Sequence, residues 1–302
     1  MITWNRRRFL WSSTVAATVA ACHRGSPGEP EPEPEPELEP PADPTVVRVA
    51  SVPTAVEGTI LPVLVAAFEK QSKLRVALAT ETDLYAQARA GKVDLAISHY
   101  GHRECEQFVL DGLGEFPRTL FSNQVALIGP PTDPANIRGL DDAGEALRRI
   151  AASKSPFLVN ELDGLSYLTD ILWHLAGKPE RSGWLRGHVK DDALIEASKR
   201  GAYVLWGLTP FMRLRKREKL TLDALVLGDP LFQRLLVAVI VKPKVGGINV
   251  AGAAAFEQFL LEPETQALMR SIDYADDGSR LARWMPAGRH NRVAVLPKSK
   301  LS

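Results

Sequence analysis

Apolar positions between residues 45 and 272 recur with two different periods, one of strands and one of helices. Residues 46–50, 74–78 and 93–97 are short apolar or β-branched runs of strand length. Between the first two, Ile60, Leu61, Leu64, Val65 and Phe68 fall at helical spacing within 58–71. Residues 83–90 read as a second helix, with Asp83 in its first turn and Gly91 as its stop. The same reading gives strands over 124–128, 157–159, 202–205 and 235–241, and helices over 140–153, 166–176, 193–200, 251–261 and 263–272. Strand, helix, strand at this spacing predicts a mostly parallel, doubly wound α/β sheet. Two such runs predict two lobes, one over about 45–124 and 235–290, the other over about 125–234. Small ligands settle in the cleft between lobes, at the carboxyl ends of strands. The loops after Ala50, Leu78, Ile97, Val159 and Leu205 are therefore the places to look.

The N-terminus has a different texture. Arg6-Arg7-Arg8 precede an apolar and small run over 11–21, followed by Cys22. A basic start, a short apolar middle and small residues before a cut site predict a signal peptide over 1–21. The apolar run is shorter than the roughly 20 residues a membrane-spanning helix needs. Arg6-Arg7-x-Phe9-Leu10 resembles a twin-arginine export signal, with the general secretory route as the alternative. Val19-Ala20-Ala21-Cys22 resembles a lipobox, which makes Cys22 the expected lipidation site and the mature N-terminus. Residues 22–44 continue into a Glu-Pro repeat too poor in apolar residues to fold, and read as an extended spacer. This predicts an exported domain lipid-anchored at the cell envelope, on its periplasmic face or the cell surface. Residues 291–302 form a basic tail with weak patterning.

Composition narrows the function classes. With 302 residues and 45% hydrophobic positions, the chain has ample material for real cores. Thirty-seven Lys and Arg against 36 Asp and Glu leave a formal charge of +1, so nucleic acid is not an expected partner. Two cysteines exclude a disulfide scaffold.

Several segments, in order and at matching separations, resemble the tungstate-binding proteins of ABC importers, within the type II periplasmic binding proteins. They are Val47-Arg-Val-Ala-Ser51 with the helix that follows, Ala88-Arg-Ala-Gly91-Lys-Val-Asp94-Leu-Ala-Ile-Ser-His99, Glu106 to Gly112 and Gly129 to Pro134. Lys199-Arg-Gly201-Ala-Tyr203-Val-Leu205, Gly228-Asp-Pro-Leu-Phe232 and Phe259-Leu-Leu-Glu-Pro263-Glu-Thr-Gln266 complete the series. The resemblance covers about 46–272. It implies a two-lobed α/β fold, each lobe a mostly parallel sheet flanked by helices. It also implies an oxyanion or other small ligand, an ABC permease as partner, and a monomer with no cofactor.

Carried over position by position, the resemblance places the ligand on Ser51, Thr54, Gly58 and Thr59 of the first loop. Thr80 and Thr82 represent the second, His99 the third strand end, Asn160 and Ser166 the loop before the helix at 166, and Thr209 the last. Here the chain departs from the pattern. The family's "RGDDSGTH" aligns with Asn160-Glu-Leu-Asp-Gly164-Leu-Ser166-Tyr167, so arginine has become Asn160 and serine Gly164. A bidentate arginine supplies both charge and geometry to an oxyanion, and asparagine supplies neither equally. Glu57, Glu81 and Glu161 add carboxylates to the same three loops, a charge that would repel an anion unless they point outward. The chain therefore reads either as an importer component with altered ligand loops, or as a sensor or partner-binding lipoprotein with a changed ligand.

Other chemistry was weighed and set aside. Cys105 lies near His99 and His102, yet a lone buried thiol fits better than a Cys/His nucleophile. Asp94, His99, His102 and Glu104 lack a metal-ligand spacing. No triad, P-loop or carboxylate pair is present, so no enzyme, catalytic residue or metal is expected. Tyr100, Tyr167 and Trp206 fall beside the ligand loops and read as lobe packing, with aromatic walls for an organic ligand as the other reading. Arg213 to Lys219 reads as a solvated basic face.

Overall fold

The computed structural model describes residues 39–57, 59–101, 103–272 and 284–286. The signal peptide, Cys22, the spacer up to residue 38, Gly58, His102 and the 291–302 tail lie outside them.

The first strand-helix alternation folds as β1 (Val46–Ser51), α1 (Pro53–Glu57), α2 (Ile60–Gln71), β2 (Arg75–Thr80), α3 (Leu84–Arg89), β3 (Leu95–His99) and α4 (Arg103–Leu110). Next come β4 (Arg118–Gly129), α5 (Ala143–Ala152), β5 (Phe157–Asn160), α6 (Asp163–Leu175), β6 (Trp184–His188), α7 (Asp191–Arg200) and β7 (Tyr203–Gly207). The chain ends with α8 (Leu208–Glu218), β8 (Asp223–Val226), β9 (Gln233–Ile240), α9 (Val250–Leu261), α10 (Pro263–Ser271) and β10 (Met285–Pro286). The expected helix over 58–71 is thus preceded by a separate short helix, and the basic run at 213–219 sits on α8.

Strand order is β2-β1-β3-β9-β4-β7-β5-β6, with β8 and β10 also paired to β4. β1 runs parallel to β2 and β3, and β5 parallel to β6 and β7, so these strands are joined by crossovers that carry helices. Between these two parallel blocks lie the antiparallel pairs of β4 and β9. β4 is longer than the apolar run at 124–128 suggested, because Ser122-Asn123-Gln124 interrupt the pattern without ending the strand. Its first half pairs with β9 through Gln124, and its second half pairs with β7 from Val125. The chain returns between β8 and β9 through a 3₁₀ turn at Pro230–Phe232.

The first block is pinned by one buried carboxylate. Asp94 is fully buried and accepts hydrogen bonds from Arg48 N at 2.7 Å, Arg48 Nε at 3.1 Å, Arg48 Nη2 at 2.5 Å and Asn249 N at 2.9 Å. Arg48 also donates to Gly91 O and Gly247 O, and Asn249 caps α9 through Gly252 N. One charge therefore ties β1, the loop before β3 and the start of α9 together. Breaking a buried pair strands its partner and costs several kcal/mol. Asp94→Ala is expected to lower stability by about 3 kcal/mol in urea denaturation of the chain carrying Cys22→Ser. A change below 1 kcal/mol would mean that these donors find water instead.

Candidate functional site

A cavity of about 610 Å³ opens where the two blocks meet. From the first block it takes Thr54 of α1, His99, Tyr100 and Gly101 at the end of β3, and Arg103 and Glu104 at the start of α4. From the second it takes the start of α6 and the β7–α8 junction, and from the shared strands Asn123, Gln124 and Arg234.

One of the cavity's cations, Arg234, comes from a strand and not from any of the predicted ligand loops. Arg234 lies opposite Asn123 in the β4–β9 ladder. Among the described residues its guanidinium makes no hydrogen bond or ion pair, and burial without a counter-charge pushes it below the usual arginine range. Arginine stays protonated at neutral pH, so an unbalanced cation faces the cleft. A Cβ built on Gly164 would lie 3.0 Å from Arg234 Nη2, which puts the guanidinium against the first turn of α6. There the N–H groups of Asp163 and Gly164 have no acceptor among the described residues, while Leu165 N and Ser166 N both bond Leu162 O. Free N–H groups at the positive end of a helix are a ready anion-binding element.

Three further polar groups point to a ligand. Asn123 and Gln124 are 5% and 6% exposed, and their side-chain amides have no hydrogen-bond partner among the described residues. Trp206 is 7% exposed, and its Nε1 is likewise unpartnered. Buried polar groups in folded proteins are nearly always paired, so these three groups, with the half-buried Arg234 beside them, mark the cavity as a site.

Of the residues predicted from the loops, Thr54 and His99 line the cavity. Gly58 lies outside the described residues. Ser51 is buried and donates to Ile97 O at 3.1 Å. Thr59 precedes α2, and Thr80 and Thr82 are exposed at the end of β2, away from the cavity. Asn160, aligned with the family arginine, is buried and holds two loops together: it accepts from Lys190 N at 2.9 Å and donates to Lys190 O at 3.2 Å. Ser166 is half-buried in α6 outside the lining, and Thr209 is buried in α8. The carboxylates feared for the loops do not crowd the cavity either. Glu57 pairs with Arg213, Glu161 lies 3.8 Å from Arg186, and Glu81 is not a lining residue.

The aromatic residues are placed otherwise than lobe packing would have them. Tyr100 and Tyr167 line the cavity while 57% and 71% exposed. A signal for Arg234, Asn123 and Gln124 was present as polar breaks in two apolar strands, Ser122-Asn-Gln124 and Gln233-Arg234. Among the described residues no group of three or more His, Cys, Asp or Glu side chains is placed to hold a metal.

Cys105 sits in a separate apolar cluster with Tyr85 and Phe108. Burial pushes its thiol above the usual range. In the chain carrying Cys22→Ser, a thiol reagent is expected to label Cys105 at least a hundredfold more slowly in the native than in the urea-unfolded protein. Equal rates would revive a reactive thiol.

No family model matches the chain. It is 28% identical over 244 residues to a Haloferax volcanii protein named as an ABC transporter anion-binding protein, covering 78% of this chain and 70% of that one. It is 26% identical over 232 residues to the tungstate-binding protein TupA of Peptoclostridium acidaminophilum, covering 74% and 80%. The structure superposes on the tungstate-binding protein TupA of Desulfovibrio alaskensis with a TM-score of 0.69 at 21% identity, over 80% of this chain and 98% of that one. The resemblance read from the sequence is thus found in both comparisons, and the fold is that of the type II periplasmic binding proteins.

Proposed function

We propose that this chain is the exported, lipid-anchored solute-binding component of an ABC importer, and that its solute is an anion held on Arg234. The observation that carries the reading is the unpaired guanidinium in the cleft beside the free N–H groups that begin α6. The names of the relatives support it, since both are binding proteins and both names specify an anion.

An anion placed against Arg234 Nη2 also reaches the α6 N-terminus and the amides of Asn123 and Gln124. It relieves a half-buried charge on β9 and unpaired dipoles on β4 and at the start of α6, so it binds better when these elements are drawn together. Ligands shift a two-state equilibrium by this differential affinity. The lobes, taken as 45–124 with 235–290 and as 125–234, bend where the chain crosses between blocks, at Gln124–Val125 and around the 3₁₀ turn before β9. Both crossings adjoin the cavity, so closure is felt directly at the hinge. The closed form is the one presented to a permease, and the Glu-Pro spacer holds the domain away from the membrane carrying Cys22.

Two measurements test this reading. Calorimetric titration of the chain carrying Cys22→Ser, against inorganic oxyanions and carboxylates, is expected to show binding by at least one anion. Arg234→Ala should weaken it at least thirtyfold, as loss of a charge-assisted pair implies, with Arg234→Lys recovering part. Unchanged affinity in a folded Arg234→Ala variant would remove the arginine from the site. Metabolic labelling with palmitate is expected to mark the wild-type chain and not Cys22→Ser; equal labelling would refute the anchor.

A further inference from the structure

We infer that the solute is a singly charged organic anion, a carboxylate held on Arg234 with an apolar body lying among Tyr100, Tyr167, Leu162 and Trp206. This rests on the anion-binding reading and names the class of anion.

Charge comes first. Four formally charged side chains line the cavity, Arg103 and Arg234 against Glu104 and Asp163, two of each sign. Asp163 opens α6 next to Gly164, within the turn that Arg234 approaches. Cations and carboxylates are thus matched in the lining. A second ligand charge adds desolvation cost, which grows with the square of the charge, with no net positive charge in the lining to offset it. Asn160, the position where the aligned family arginine would stand, is neutral and engaged with Lys190.

Size and surface point the same way. The cavity's 610 Å³ falls in the range that holds organic ligands, and a lone oxyanion would leave most of it to water. Its lining is aromatic and aliphatic beyond the polar cluster: Tyr100, Tyr167, Trp206, Leu162, Leu165 and Pro210. Tyr100, Tyr167 and Leu162 expose large apolar surfaces at this one place, at 57%, 71% and 37%. Exposed apolar area gathered at a concave site is what an apolar ligand body removes from water. An inorganic oxyanion removes almost none. Tyr167 follows Gly164 by three residues on α6, so a carboxylate at the helix start places its substituent within one helical turn of that ring.

The test is a size series with charge fixed. Acetate, butyrate, hexanoate, benzoate and phenylacetate, with tungstate and molybdate for comparison, are titrated into the full chain carrying Cys22→Ser. Affinity is expected to rise about fourfold per added methylene from acetate to hexanoate, with benzoate and phenylacetate tighter than both metal oxyanions. Tyr100→Ala with Tyr167→Ala, both exposed and so not needed for folding, should flatten the series and lower hexanoate affinity at least tenfold. A flat series, or tungstate or molybdate binding tighter than every carboxylate, overturns the organic-anion inference while leaving an anion-binding protein. Silence toward every anion overturns that reading as well.

Discussion

β4 has to belong to two sheets at once, and this constraint shapes most of the molecule. Its first seven residues, through Gln124, are zipped to β9, and from Val125 its neighbours are β7 and β8. A strand that changes partners midway must pass a point where neither sheet covers it fully. Apolar side chains there would be exposed to the cleft, and polar ones sheltered from bulk water. The sequence places Asn123 and Gln124 at that point and Arg234 across from Asn123. The cavity is therefore a consequence of the topology, and its polar lining follows from which residues occupy the transfer point.

Two charges with opposite surroundings, the buried Asp94 and the half-buried Arg234, show what separates structure from site. Asp94 receives four hydrogen bonds and an arginine, so its burial is satisfied within the fold and it holds three segments in place. Arg234 receives nothing from the described residues. Burying an unpaired charge is among the most costly things a protein does, and it persists where a partner arrives from outside. By that criterion the aspartate in the first block is architectural and the arginine on β9 is the residue on which the anion proposal rests, though both look alike as single letters in apolar surroundings.

The α/β alternation was legible because β-branched runs and helical spacing repeat over residues 46–100 and again over 157–205. Less legible were the elements whose pattern is short or mixed. β8 has four residues, and β4 carries three polar positions that read as a strand end because pairing on both flanks cannot be seen from one segment. The site was legible in location but not in membership. Loops after β1, β3, β5 and β7 do converge, yet Ser51 and Asn160 turn their polar atoms to neighbouring backbone. Hydroxyl content in a loop does not say which way the hydroxyl points. Arg234 lies outside the predicted set because it enters the cavity from a strand and not from a loop. The exposure of Tyr100 and Tyr167 was equally invisible, since a tyrosine suits packing and a cavity wall alike.

Gly164 and Arg234 make better sense together than apart. Read alone, the loss of the aligned serine at 164 and arginine at 160 describes a ligand loop losing its donors. In the structure, a side chain at 164 would begin 3.0 Å from Arg234 Nη2, tighter than ordinary contact, so the guanidinium would have to give by a few tenths of an ångström. The glycine gives the guanidinium room against α6, and it leaves the helix's first N–H groups uncovered beside that charge. Asn160 lies at the end of β5 and spends its amide on Lys190, whereas Arg234 lies on β9 opposite Asn123 and brings its guanidinium to the start of α6.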